Sequence, residues 1–165
     1  MPERTTIPRA ASRVLVSEPG GRILLMGVVL PNTGLRIWFP PGGGAEVGED
    51  PVDAARRELL EETGLVVTRE QLGAAVARSS GHWTGLDGTV YAASDTYFAI
   101  VVSEFTPDVS RFTELEREIG AYFRWWTADE VEATADTVYP VGLSSLMRRL
   151  ATGERPVPAL DLPWS

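Results

Sequence analysis

Glu58, Glu61 and Glu62 have the residue type and the spacing to hold a cation. They belong to a stretch, residues 43–65, that reads GGAEVGEDPVDAARRELLEETGL. Pro51 predicts the start of a helix, with Asp50 before it as the cap. Gly64 predicts its end, in the left-handed role. At about 100° per residue, Val52, Ala55 and Leu59 fall on one side of that helix. The three glutamates fall on another arc, about 100° wide. Glu58/Glu61 and Glu58/Glu62 are then neighbours one turn apart, and like charges at that spacing destabilise a helix. A divalent cation would offset the repulsion. Mg²⁺ takes carboxylate oxygens and keeps waters and phosphate oxygens as its other ligands. Acidic runs on helices are more often solvated faces, so three glutamates alone decide nothing.

The residues before the helix change that weighting. Pro41-Gly42-Gly43-Gly44 lets the backbone approach a ligand closely, and its carbonyls can serve a cation. With Pro40 it reads as a loop without regular structure. Glu46 and Glu49 follow. Arg57 is placed to pair with Glu49 and so fix the loop against the helix.

Together these residues make the chain resemble the Nudix hydrolases. Their signature is G-x5-E-x7-R-E-U-x-E-E-x-G-U, where U is bulky and apolar. Gly43, Glu49, Arg57, Glu58, Glu61, Glu62 and Gly64 meet its fixed positions, with Leu59 and Leu65 at the apolar ones. Seven fixed residues, each at roughly 7% frequency, give chance odds on the order of 10⁻⁸ per start. The resemblance implies an α/β fold, an α/β/α sandwich with a mixed sheet and a loop–helix–loop catalytic motif. It implies hydrolysis of a nucleoside diphosphate linked to another moiety, with Mg²⁺ or Mn²⁺. By position, Glu58 and Glu62 would be the main metal ligands. Glu61 would be a further ligand or hold metal-bound water, and the carbonyl of Gly42 or Gly43 would complete the shell. Arg57 and Glu49 would be the brace.

The elements that must position these groups read as one mixed domain over residues 1–152, followed by a proline-rich, extended tail over 153–165. Strands are expected at Ser12–Ser17, Ile23–Leu30, Ala74–Ser80, Thr89–Val102 and Tyr122–Trp126. Further helices are expected at Ala128–Ala133 and Val141–Ala151. The 165 residues include 15 basic groups, all arginine, against 23 acidic ones, a net charge of -8. That balance opposes extended nucleic-acid binding. Residues 46–62 alone hold seven acids and two arginines, a net of -5, so most of the acidity is local. There is no cysteine, which excludes disulfides, thiolate metal sites and a cysteine nucleophile. One histidine, His82, leaves no histidine-based metal site. No export signal or apolar span is visible, so a cytoplasmic protein without membrane contact is expected. The family suggests a homodimer.

Other positions are more open. In many Nudix enzymes a distal acid precedes a late strand and serves as general base. Glu118 is the first candidate here, Glu116 the second and Asp95 the third. His82 and Trp83, in a glycine-rich turn, and Tyr97 are candidates to bind the substrate. Strand aromatics more often pack than bind. Arg36, Arg78 and Arg124 could grip phosphate. The subgroup marks for ADP-ribose, NADH and diadenosine polyphosphate are missing, and the isopentenyl diphosphate isomerase branch needs a cysteine. The preferred reading is a pyrophosphohydrolase acting on a small nucleotide-type substrate. The alternative is a Nudix-fold nucleotide-binding or regulatory module without turnover.

Overall fold

A computed structural model describes residues 5–85 and 87–165. Its elements, in chain order, are β1 (Thr6–Ser17), β2 (Ile23–Val29), β3 (Arg36–Phe39), β4 (Gly42–Gly44), α1 (Pro51–Thr63), α2 (Arg69–Leu72), β5 (Ala77–Thr84), β6 (Val90–Val101), α3 (Glu114–Glu118), β7 (Tyr122–Trp126), α4 (Ala128–Ala133), β8 (Thr137–Val138), α5 (Leu143–Ala151) and β9 (Leu160–Leu162). The main strand order is β8-β3-β2-β1-β6-β5-β9, with β4 added to β1 and β7 to β2. β1 runs parallel to β6 along its whole length. β2 is antiparallel to β1, β3 and β7, and the sheet is therefore mixed.

Alternation along β1 divides the core in two. Leu15 faces Trp38, Tyr97, Trp126 and the α5 residues Leu143, Leu146 and Met147. Val14 and Val16 face the opposite way, onto Val52, Ala55 and Leu59 of α1. Helices thus cover both faces, and the expected α/β/α sandwich is what forms. Among the described residues no helix is long and apolar enough to cross a membrane.

The helix carrying the glutamates forms where its caps predict. The Asp50 side chain accepts from the Val52 N–H, Pro51 occupies the first turn, and Gly64 ends the helix at φ 77°. An N-cap of this kind is worth about 1 kcal/mol. Tyr122–Trp126 and Ala128–Ala133 also form as expected.

Several expected boundaries are corrected. β1 starts six residues before Ser12, because pairing with β6 recruits a segment whose own composition is weakly strand-forming. Pro8 is tolerated there because β1 has a neighbour on one side only at that point. The supposedly irregular Pro40–Gly44 loop contains a short strand. Gly42–Gly44 pairs with Ala11–Arg13, since without side chains this backbone can lie directly against Ser12. The strand expected at Ala74–Ser80 runs instead from Ala77 to Thr84. His82 and Trp83 therefore stand in a strand, not a turn. The tail contributes β9, parallel to β5.

Candidate functional site

Two elements meet at the site: α1 and the β4 backbone. The Glu62 carboxylate, only 8% exposed, accepts the Gly42 N–H at 2.8 Å. Burial pushes its pKa up to about 8, against the lowering effect of that hydrogen bond. Glu58 lies beside it, over Gly43. A Cβ on Gly43 would come within 2.8 Å of both Glu58 oxygens, so the glycine leaves the space the carboxylate fills. Burial also raises the Glu58 pKa, and Arg57 opposes the shift. Buried carboxylates disfavoured in their charged form are groups that a cation would stabilise.

Arg57 is more than the expected brace. Its Nε and Nη2 each donate to Glu49 at 2.9 Å, a bidentate pair. Nη2 also reaches the Gly44 carbonyl at 3.0 Å. Nη1 donates to Glu58 at 2.9 Å and to the exposed Glu61 at 3.4 Å. Part of the repulsion along α1 is thus answered by an arginine within the same helix. The pairing holds Glu49 down to about pKa 2.

The donor set suits a hard cation, because it consists of carboxylates and backbone carbonyls. The assignment of Gly43 as a metal ligand needs correction. The bonds Val14 N–H to Pro41 O and Ala45 N–H to Ala10 O, each 2.9 Å, bracket the Ser12–Gly43 pair. By the alternation of an antiparallel ladder, that pair exchanges its own hydrogen bonds. The Gly43 carbonyl thus points to β1, and the Gly42 carbonyl is the one left outside the ladder. Among the described residues no three acidic or histidine side chains already converge as a ligand cage. Arg57 draws Glu58 and Glu61 to itself, and Glu62 turns to Gly42. Mg²⁺ needs only one or two carboxylates when phosphate oxygens supply the rest.

Arg13 is a site residue the sequence reading missed. Its Nη1 donates to Pro40 O at 3.0 Å and approaches Gly42 O at 3.5 Å. Its guanidinium lies 4.9 Å from the Phe39 ring centroid and 3.7 Å from Asp95. Its charge lowers the pKa of both Glu58 and Glu62. From β1 it links the carboxylates to a cleft of about 410 Å³ on the other face of the sheet, lined by Phe39, Trp83, Asp95, Tyr97 and Tyr139 among others. Alternation with Val14 fixes only the face of Arg13 in the expected first strand; the neighbours it meets there come from pairing with β4 and β6.

The other expected residues are dispersed. Trp83 lines the cleft. His82, one residue earlier on β5, faces the other side of the sheet, is exposed and does not line the cleft. Its pairing with Trp83 as a substrate contact is therefore corrected. Tyr97 is buried and donates to Asp95 at 3.4 Å, which makes it cleft floor. Glu118 is exposed on α3. Glu116, whose carboxylate caps Thr113, is the α3 acid whose charge acts on Glu62. Arg124 pairs with Glu130 at 2.6 Å, whereas Arg36 and Arg78 are exposed.

A family model described as NUDIX domain matches residues 7–145. The chain belongs to the NUDIX hydrolase family. A Nudix hydrolase from Nitrosomonas europaea is 24% identical, with a TM-score of 0.56 over 90% of this chain and 91% of that one. The MutT protein of Methanosarcina mazei is 16% identical, with a TM-score of 0.59 over 92% and 98%. Both likenesses concern the fold. An RNA pyrophosphohydrolase of Bartonella bacilliformis is 60% identical over 30 residues, 18% of each chain. This Nudix chain therefore spans under a fifth of the length of that curated relative.

Proposed function

We propose that this Nudix protein is a divalent-metal-dependent pyrophosphohydrolase that cleaves the diphosphate linkage of a nucleoside diphosphate derivative. One observation carries the reading: Glu62 is buried against the Gly42 N–H with Glu58 beside it, in a signature with no fixed position lost. Glu58 and Glu62 would hold Mg²⁺ or Mn²⁺, with the Gly42 carbonyl near and Glu61 at the exposed side. When bound, such an ion neutralises diphosphate oxygens and lowers the pKa of a bound water. Arg57 keeps α1 and the Glu49 loop in register, so the carboxylates meet the substrate in one geometry. Arg13 offers a cation to the substrate between the carboxylates and the cleft. The general base outside the signature is drawn from α3, where Glu116 is better placed than Glu118. That the Bartonella relative is an RNA pyrophosphohydrolase agrees with cleavage of a diphosphate.

The test is a panel of nucleoside triphosphates, nucleotide sugars and dinucleotides with Mg²⁺, scored for phosphate and pyrophosphate. Turnover of at least one member is expected. Silence across the panel, with Mn²⁺ as well, would leave a binding module in its place.

A further inference from the structure

The C-terminal segment lies beyond residue 145, where the family match ends. It is nevertheless tied to the sheet at several points. Arg155 donates to the carbonyls of Leu72 at 2.9 Å, Ala99 at 3.2 Å and Ala74 at 3.4 Å. The Leu160 N–H bonds Val76 O at 3.0 Å, and β9 continues beside β5 as far as Ser79 and Leu162. The Ser79 hydroxyl then donates to Pro163 O at 3.3 Å. These contacts deliver Trp164 onto the strand at Gly81. A Cβ at Gly81 would lie 2.1 Å from Trp164 Cγ, so only glycine admits the indole there.

The indole is only partly buried, and it does not belong to either core cluster. It lines the 410 Å³ cleft with Trp83, Asp95 and Arg13. The same four residues, with Arg9, line an adjoining recess of about 220 Å³. Trp83 is held in place by stacking on Tyr91, 4.4 Å between centroids at 20°. Ser79, Gly81 and Trp83 share one face of β5, and their partners Asp95, Ala93 and Tyr91 share it on β6. Two indoles, a partly buried carboxylate and a guanidinium thus converge on one open space. Aromatic walls accept the flat face of a heterocycle, and a carboxylate accepts N–H groups at its edge.

We propose that Trp164, brought in by the C-terminal segment, is a specificity-determining wall that stacks the nucleobase of the substrate, with Asp95 facing the N–H groups on the base edge. The proposal rests on the hydrolase reading for its substrate, but base binding can be measured without turnover. Two variants separate stacking from packing. Trp164→Leu keeps apolar bulk over Gly81 and removes the aromatic face. Trp164→Phe keeps an aromatic face. Binding of GMP, AMP, CMP and UMP is measured by calorimetry on the full chain. Wild type is expected to bind at least one of them. Trp164→Leu is expected to weaken that binding about tenfold or more, while Trp164→Phe retains most of it. In turnover, the Leu variant raises KM with little change in kcat. Equal binding by wild type and Trp164→Leu overturns the proposal, as does a wild type that binds none of the four. Silence in the substrate panel with base binding intact would instead overturn the hydrolase reading alone.

Discussion

Glu62→Gln loses turnover by at least about 100-fold and keeps its fold. Replacing groups merely next to metal ligands costs 10–100-fold, and a ligand itself costs no less. Glutamine has nearly the same shape and still offers an oxygen to the Gly42 N–H, the bond that fixes Glu62 at 2.8 Å. It also removes a carboxyl that burial pushes to about pKa 8, and so the proton uptake that folding requires of it near neutral pH. The metal-free variant therefore unfolds no earlier than the wild type. Steady-state kinetics and a thermal melt check the two halves together. A folded Glu62→Gln protein with full activity would sink the assignment of this carboxylate.

The second large effect is expected at Arg57. Arg57→Ala removes the bidentate grip on Glu49 and the bond to Gly44 O, and it leaves Glu58 and Glu61 facing each other unanswered. Turnover falls about 10- to 100-fold, because the ligands lose their orientation while remaining present. Stability changes too, in a pH-dependent way. Glu49 is depressed from its ordinary 4.5 to about 2, chiefly by the hydrogen bonds from Arg57. A depressed carboxylate stabilises the fold above its unfolded pKa, and the contribution is lost as pH falls through the folded value. Wild type should therefore lose stability between about pH 4.5 and 2 more steeply than Arg57→Ala. Denaturant midpoints of both proteins across that range decide it. Parallel curves would mean that the Glu49–Arg57 pair adds nothing to the fold.

The helix was legible because the signals that define it are local. Asp50, Pro51 and Gly64 terminate α1 by their own backbone preferences. The arithmetic set Glu62 on the acidic arc, but at its edge, about 20° from Ala55, and packing buries it there. Strand positions were less legible because strand register depends on distant partners. The shift of β5 to Ala77–Thr84 is set by β6, and it reassigns His82 and Trp83 to opposite faces. The short strand at Gly42–Gly44 depends on close approach to β1, which no pattern in a glycine run announces. The role of Arg13 required knowing that β4 and β6 flank the same strand. The tail's prolines suggested an extended arm; within it only Leu160–Leu162 forms a strand. Its place beside β5 came from Arg155 and the β9 ladder, contacts made with residues far away in the chain.

On the proposed reading, the carboxylates of α1 form a site for a divalent cation. Thermal denaturation with and without millimolar Mg²⁺ tests it most directly, because an ion that binds the folded state raises the melting temperature by mass action. A clear rise is predicted for wild type and none for Glu62→Gln. A wild-type melting temperature unmoved by the metal, or an equal rise in both proteins, would contradict it.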